Sequence, residues 1–260
     1  MANVLNSTTQ SILRGLPEPI LGPVGNLILT PEGGFGGASG PTDGLLSYWN
    51  MEGIDLVDQH GSNTLVDYNT VGSRTGPGGL LTAVDTEDTR DEMLYAPAGI
   101  GFENHSILSF TGWVLFDVSN IPHYFLFCGS DYNTASAFQY QFRRNASSIT
   151  TEIRLGSTDV GRETLVGPTI ANGVWAFFFM YINTETNEMG LSINDGTVST
   201  QALTGTRVVA PSTLKMGLAW PSYGMDGGMA SYTAWSKQLD ADTVTLLYNG
   251  GVRPLYADLF

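Results

Sequence analysis

The chain has 260 residues, including 32 glycines and 12 prolines, and only 14% of its residues are charged. This composition favours one large domain of short strands joined by turns, because 42% of the residues are hydrophobic and available for a core. The formal net charge of −14 excludes the positive surface that binds nucleic-acid phosphates, so we expect no nucleic-acid partner. No apolar run approaches the roughly 20 residues of a membrane-spanning helix, and we expect no membrane partner either.

The N-terminal segment, residues 1–43, combines a high density of proline and glycine with large apolar side chains. The prolines and glycines are incompatible with a packed helix or a central strand, whereas the apolar content exceeds that of a solvated linker. We predict an extended arm that docks on another surface; the alternative is a strand and loop that complete the chain's own domain. Its first ten residues lack a basic leader and an apolar block, so we expect no secretory signal. The predicted docking residues are Ile12, Leu13, Leu16, Ile20, Leu21, Val24, Leu27, Ile28 and Leu29.

Beyond the arm, strand-like segments alternate with clusters of glycine and asparagine. These segments have the length, and the aromatic or β-branched content, expected of strands. No period of about 20 to 50 residues repeats, which argues against a propeller or a solenoid. We predict strands over residues 106–118, 124–128, 137–143, 150–155, 174–183, 188–194, 214–219 and 228–235.

One segment near the C-terminus has a helical pattern. Asp240 can cap a helical turn in which Val244, Leu247 and Tyr248 lie on one face. The sequence Asn249-Gly250-Gly251 can end that turn, because asparagine and glycine accept left-handed backbone angles. We therefore predict a short helix directly after the last strand.

Three segments of the chain carry a resemblance to one family. Residues 230–251 look like its closing strand and helix, and residues 45–61 look like its opening strand and first polar loop. Residues 173–196, in which a tryptophan-led strand turns back into one ending in Asn-Asp-Gly, look like its central hairpin. The chain thus resembles laminin-G-like, concanavalin-A-type jelly rolls of the kind found in phage virion structural proteins. The resemblance implies an all-β, antiparallel jelly-roll sandwich over residues 44–260, after an extended N-terminal arm over residues 1–43.

No catalytic constellation is visible in the sequence. Glycosidases that use this sandwich resemble one another in a Glu-x-Asp-x-x-Glu sequence along one strand, which no predicted strand of this chain carries. We interpret the acidic run over residues 85–92 as a solvated loop. His60, His105 and His123 lie far apart without partners at metal-ligand spacing, so we expect them in loops or at the surface. We predict a noncatalytic protein without a cofactor, in which Cys128, the only cysteine, is a buried thiol.

Calcium is the one metal that the resemblance implies. Many members of the family hold a calcium ion in loops at the rim, because this cation binds several carboxylate and carbonyl oxygens. Asp55 and Asp58, in the first polar loop, are the calcium candidates of this chain. An ordinary turn role is the alternative for Asp58.

Glycan binding is a second expectation from the resemblance. Exposed aromatic side chains on a concave sheet can stack on sugar rings, and Trp220 and Tyr223 are the best candidates. The alternative is that Trp220 covers an edge of the sheet. From their strand context, we expect the other four tryptophans in the core, namely Trp49, Trp113, Trp175 and Trp235.

These observations favour a virion structural protein, such as a capsid decoration, cement or fibre-associated protein of a bacterial virus. In this hypothesis the protein is made in the host cytoplasm, docks on capsid or other virion proteins through the arm, and displays the sandwich. A homo-oligomer such as a trimer would add avidity to several weak arms. The alternative hypothesis is a lectin-like module that binds glycans of a host or cell surface.

Overall fold

The computed structural model describes most of the chain beyond its N-terminal segment. The chain divides into two units, Met1–Pro41 and Thr42–Phe260. The described residues are 20–21, 27–28, 42–79, 81–87, 91–96, 101, 104–118, 123–129, 140–145, 150–155, 163–204, 213–217, 224–254 and 256–259.

In the first unit, two short strands are described. Strand β1 (Ile20–Leu21) pairs antiparallel with β2 (Leu27–Ile28). The docking of this segment on a partner stays a prediction. Five of its predicted docking residues lie outside the described residues: Ile12, Leu13, Leu16, Val24 and Leu29.

The second unit is built of antiparallel strands. They are β3 (Leu45–Trp49), β4 (Val66–Tyr68), β5 (Gly72–Thr75), β6 (Thr82–Thr86), β7 (Met93–Ala96), β8 (Ile107–Phe116), β9 (His123–Gly129), β10 (Tyr140–Arg144), β11 (Thr150–Leu155), β12 (Glu163–Thr169), β13 (Ala176–Asn183), β14 (Glu188–Ile193), β15 (Ser199–Ala202), β16 (Thr213–Met216) and β17 (Gly227–Trp235).

These strands form two sheets that pack as a sandwich. Sheet I has eight strands in the order β15-β14-β13-β8-β17-β6-β5, with β3 also paired to β17. Sheet II has seven strands in the order β12-β11-β10-β9-β16-β7-β4. The predicted all-β, antiparallel jelly-roll sandwich is confirmed, and each of the eight predicted strands has a counterpart.

The middle of sheet I is buried on both of its faces, as β13 shows most clearly. Phe178, Met180 and Ile182 point into the core between the sheets. Their neighbours in the chain point outward and join a second hydrophobic cluster, because successive side chains of a strand alternate between its faces. All eight residues of β13 are buried, so the strand lacks the apolar and polar alternation of a half-exposed strand.

Two helices near the C-terminus cover part of the outer face of sheet I. In α1 (Ala241–Tyr248), the Asp240 carboxylate accepts a hydrogen bond of 2.7 Å from the Thr243 N–H, as a helix cap does. Val244 and Leu247 are buried against the sheet, Tyr248 packs beside them, and α2 (Tyr256–Leu259) adds Leu259. Within the described part of the chain, no helix is long and apolar enough to cross a membrane.

The predicted helix is therefore confirmed in its start, its buried face and its end. Asn249 and Gly250 both have positive φ angles, 48° and 62°, which reverse the chain after α1. Cys128 is confirmed as a buried thiol, and burial raises its pKa well above the ordinary value.

Two sequence interpretations are wrong in this region of the fold. The acidic run is not wholly a solvated loop, because Asp85 lies in β6 and the Glu92 side chain is only 2% exposed. Glu92 accepts a hydrogen bond of 2.9 Å from the Glu87 N–H, which supports a carboxylate in a buried place. The short strands β4, β5, β6, β7, β12 and β15 were not predicted from the sequence.

His123 also differs from its predicted surface position, because it is fully buried at the start of β9. Its Nδ1 accepts a hydrogen bond of 3.2 Å from the Asp226 N–H, so the proton of the neutral ring lies on Nε2, which donates to the Val118 carbonyl at 2.7 Å. Burial disfavours the charged ring and lowers the pKa of His123 to about 4. His60, in contrast, is exposed as predicted.

The low pKa of His123 predicts a loss of stability in mild acid. The unfolded chain binds a proton at the ordinary histidine pKa of 6.5, whereas the folded chain resists protonation down to about 4. The stabilisation that comes from keeping His123 neutral is therefore fully present above pH 6.5. About 3 kcal/mol of the free energy of unfolding is lost as the pH falls toward 4. We expect urea unfolding between pH 7 and 4.5 to show a smaller pH dependence in His123→Gln than in the wild type. A His60→Gln control should keep the wild-type slope, and equal slopes for all three proteins would contradict this assignment.

Candidate functional site

The predicted glycan contacts Trp220 and Tyr223 lie outside the described residues. Three of the four tryptophans expected in the core are buried there, namely Trp49, Trp113 and Trp235. For Trp175 the expectation is wrong, because its side chain is only half-buried at the edge of the outer hydrophobic cluster. Trp175 precedes β13, and the structure places it beside charged residues of other strands.

Gly228 of β17 makes room for the Trp175 ring on the outer face of sheet I. A Cβ atom added to Gly228 would lie 2.5 Å from Cη2 of Trp175 and 2.7 Å from Cδ of Arg74. Both side chains therefore lie directly on the glycine backbone. The Trp175 Nε1–H donates to the Thr75 carbonyl of β5 at 3.2 Å, and this bond fixes the edge of the ring to the border strand.

Arg74 is held next to Trp175 by two carboxylates. Its Nη1 lies 2.9 Å from Asp85 Oδ1 and 2.6 Å from Asp117 Oδ2, and its Nη2 donates to Asp117 Oδ1 at 3.1 Å. Arg74 and Asp85 project from neighbouring strands, since β5 and β6 pair Gly72 with Asp85. The bidentate hydrogen bond that Arg74 donates to Asp117 raises the pKa of Arg74, so the guanidinium stays charged.

We call Trp175, Arg74, Asp85 and Asp117 the Trp175 platform. Burial raises the pKa of Asp85, and the second carboxylate of the cluster raises it further, although Arg74 opposes both effects. Three of the five guanidinium N–H donors bond to the carboxylates, which leaves two donors and several carboxylate lone pairs for a ligand. An aromatic ring beside fixed hydrogen-bonding groups is a surface that suits a molecule with one apolar face and a rim of hydroxyl groups.

Asp58, one of the two calcium candidates, has a structural role in the first polar loop. Its Oδ1 accepts hydrogen bonds from the backbone N–H groups of Tyr48, His60 and Gly61, at 3.0, 3.1 and 2.9 Å. Its Oδ2 accepts a fourth from the Asn63 N–H at 3.0 Å. Burial alone would raise the pKa of Asp58, but these bonds outweigh it and lower the pKa.

Asp55 uses both of its carboxylate oxygens within the same loop. Oδ1 accepts from the Val57 N–H at 3.1 Å, and Oδ2 from the Gln59 amide at 3.3 Å. Among the described residues, no group of three or more His, Cys, Asp or Glu side chains is placed to hold a metal ion. Calcium at Asp55 and Asp58 stays a prediction.

No family model matches the sequence, and the comparison with curated proteins finds no match. Solved structures of similar fold do exist. Domain 4 of AbnA, a GH43 extracellular arabinanase from Geobacillus stearothermophilus, has a TM-score of 0.63 and 16% identity, over 78% of this chain and 97% of that domain.

Two toxin binding domains are also similar. The binding domain of botulinum neurotoxin DC has a TM-score of 0.60 and 14% identity, over 80% of this chain and 52% of its own. The binding domain of Paraclostridial Mosquitocidal Protein 1 has a TM-score of 0.64 and 13% identity, again over 80% and 52%. This chain spans about half the length of these two domains, and the three likenesses establish a shared β-sandwich fold.

The geometry at Gly228 predicts that a single methyl group disrupts the Trp175 platform. In Gly228→Ala the new Cβ would overlap Trp175 and Arg74, so we expect the Trp175 ring to move into solvent, with a loss of about 1–3 kcal/mol in the free energy of unfolding. Acrylamide quenching of tryptophan fluorescence and urea unfolding would measure both effects. Gly72→Ala is the matched control, because a Cβ there meets its nearest atom at 3.5 Å. Equal quenching in both variants would show that Trp175 does not lie on Gly228.

The hydrogen bonds of Asp58 predict that its charge stabilises the loop without a metal. Asp58→Asn replaces one accepting oxygen by an amide donor opposite a backbone N–H, so we expect a loss of about 2 kcal/mol in the presence of a chelator. Asp55→Asn, in a more exposed position, should cost less than about 1 kcal/mol. Urea unfolding with EDTA and with calcium would measure both variants. If Asp58→Asn destabilises the protein only when calcium is present, the carboxylate is a metal ligand and the structural role is wrong.

Proposed function

We propose that this chain is a noncatalytic glycan-binding module in which the Trp175 platform contacts the sugar. The observation that carries the proposal is the half-buried Trp175 ring lying beside the Arg74 side chain over Gly228, at the edge of the outer hydrophobic cluster. A sugar ring has one face of C–H groups and a rim of hydroxyls. The indole would pack against the C–H face, while Arg74 and Asp117 exchange hydrogen bonds with the hydroxyls.

The structures of similar fold support this choice of ligand. Domain 4 of AbnA was solved in complex with arabinotriose, and the botulinum neurotoxin DC binding domain in complex with SialylT. A further neurotoxin of this fold, type C, is described as entering cells in dependence upon two ganglioside molecules. These ligands belong to those proteins, and in domain 4 of AbnA the similar fold covers 97% of a chain that was solved with a sugar.

The charge of this chain favours a neutral glycan over an acidic one. Two carboxylates surround the single guanidinium of the platform, so its net charge is negative when all three groups are ionised. The whole chain carries −14, which repels sialylated or sulfated glycans at moderate ionic strength. Neutral hexose or pentose oligosaccharides therefore fit the platform better than anionic ones.

The virion hypothesis and the loop residues remain open beside this proposal. Docking on capsid proteins through residues 1–43, a virion location and homo-oligomerisation rest on the sequence alone and stay predictions. Trp220 and Tyr223 stay predicted glycan contacts, because both lie outside the described residues. They are an alternative location for the same function.

A glycan array followed by calorimetric titration tests the proposal. We expect binding to neutral oligosaccharides, weakened about tenfold or more in Trp175→Ala, because an aromatic contact contributes roughly 1 kcal/mol beyond the area that it buries. Val174→Ala is the matched control: this neighbouring side chain is 54% exposed, and its loss should leave both affinity and unfolding unchanged.

Trp220→Ala, measured in the same series, separates the two locations. Full binding by Trp175→Ala together with loss of binding in Trp220→Ala would place the glycan at the loop and overturn the platform. A wild-type protein that binds no glycan on the array would contradict the function itself.

A further inference from the structure

A separate cavity of about 160 Å³ lies between α1 and the outer face of sheet I. Its floor is formed by the outward side chains of β13 and β14, and β15 forms one side. The opposite wall is formed by residues 238–244, which lead into α1 and form its first turn. None of the residues that line this cavity belongs to the Trp175 platform.

One part of the cavity lining is apolar, buried and tightly packed. Phe179, Leu239 and Val244 are buried there as members of the outer hydrophobic cluster. The Tyr181 ring lies directly on Gly190 of β14, where any side chain would overlap it. Burial, and then the bond that the Tyr181 hydroxyl donates to Glu188, raise the pKa of Tyr181, so the hydroxyl stays neutral.

Polar side chains also line this cavity, among them Ser192, Gln238 and Asp195. Ser192 of β14 is only 1% exposed and lines the cavity, and its hydroxyl makes no side-chain hydrogen bond to any described residue. The Gln238 Oε1 accepts from the Asn183 amide at 3.1 Å, which leaves the N–H donors of Gln238 for Tyr181 and for the cavity. At the mouth, Asp195 Oδ1 accepts from the Thr245 hydroxyl of α1 at 2.9 Å, and Oδ2 keeps its lone pairs.

We propose that this cavity binds a single neutral sugar ring, the terminal unit of a glycan. The inference rests on the proposed function and adds a second subsite of narrower specificity. The Ser192 hydroxyl lines the cavity, where a water molecule or a ligand can bond to it. The ring of a sugar would cover Phe179 and Val244, and its hydroxyls would bond to Ser192, Gln238 and Asp195.

Size and charge define the ligand class. A volume of about 160 Å³ suits one ring better than a run of several, and a terminal unit is the part of a glycan that presents a single ring. The lining contains one carboxylate and no lysine or arginine, so a carboxylated or sulfated sugar would meet an uncompensated negative charge. The opening lies at Val198, Thr200 and Asp195, all of them exposed, which gives a glycan access from solvent.

Methyl glycosides of neutral hexoses and pentoses are the probes for this site. We expect one of them to saturate the wild-type protein in NMR titration and to shift the Phe179 and Tyr181 resonances. Thr200→Trp should reduce the affinity by more than tenfold, because the indole would occupy the mouth from an exposed position on β15. Thr200→Ala is the matched control and should bind within about twofold of the wild type.

Ser192→Ala tests the floor of the cavity independently of its mouth. We expect affinity to fall about five- to tenfold, with no loss of stability, since the hydroxyl has no partner to lose among the described residues. Equal thermal unfolding of Thr200→Trp and wild type would confirm that the blocked protein is folded. Unchanged affinity in Thr200→Trp or in Ser192→Ala would overturn the assignment.

The two sugar sites can fail separately. Trp175→Ala should weaken oligosaccharide binding and should leave in place the shifts of the Phe179 and Tyr181 resonances that a methyl glycoside causes in the cavity. If no methyl glycoside saturates the protein but oligosaccharides bind through Trp175, the cavity inference is wrong and the proposed function stands. If methyl glycosides bind in the cavity and Trp175→Ala has no effect on any glycan, the cavity stands and the Trp175 platform is wrong.

Discussion

The outward row of side chains along β13 is the constraint on which both candidate sites depend. Phe177, Phe179 and Tyr181 alternate with residues of the inner core, and Trp175 continues the same row just before the strand begins. The middle of this row is the seat of α1: the Trp113 ring packs 5.4 Å from Phe177 and stacks 5.8 Å from Tyr248 of the helix, between ring centres. A slip of one residue in the register of β13 would turn these aromatics into the core. The surface against which α1 packs would then be lost.

The short length of α1 determines which parts of the outer face of sheet I a ligand can reach. Because α1 has only eight residues, it covers the central aromatics and leaves both ends of the row less protected. At one end, Gly228 provides a shallow place where Trp175 and Arg74 lie side by side. At the other, Gly190 accepts the Tyr181 ring, and the space above Ser192 remains open beneath the first turn of the helix. In both places a glycine permits an aromatic ring to lie flat on the sheet.

The sequence predicts the local structure much better than the sites. The helix was predictable because its cap, its apolar face and its left-handed end all lie within a dozen neighbouring residues. The long strands were predictable because most of them are rich in aromatic and β-branched residues, whereas β4 is only three residues long and is exposed at every one. Trp175, Arg74 and Asp117 come from three separate parts of the chain and meet only through strand order, so no local pattern could indicate them. His123 was misjudged for a similar reason, since Asp226, whose N–H bonds to its Nδ1, is 103 residues away in the sequence.

The shared row also explains why two sugar sites on this fold would differ in what they recognise. The platform is an open surface whose polar groups already form ion pairs, so a ligand bonds only to the donors and lone pairs that remain and gains mostly from contact with the indole. The cavity is concave, and its serine hydroxyl has no bond that a ligand must displace among the described residues. Hydrogen bonds to unpaired buried groups discriminate strongly between closely related ligands, whereas stacking tolerates many of them. The platform would therefore bind a broad class of glycans. The cavity would give specificity for the terminal unit within that class.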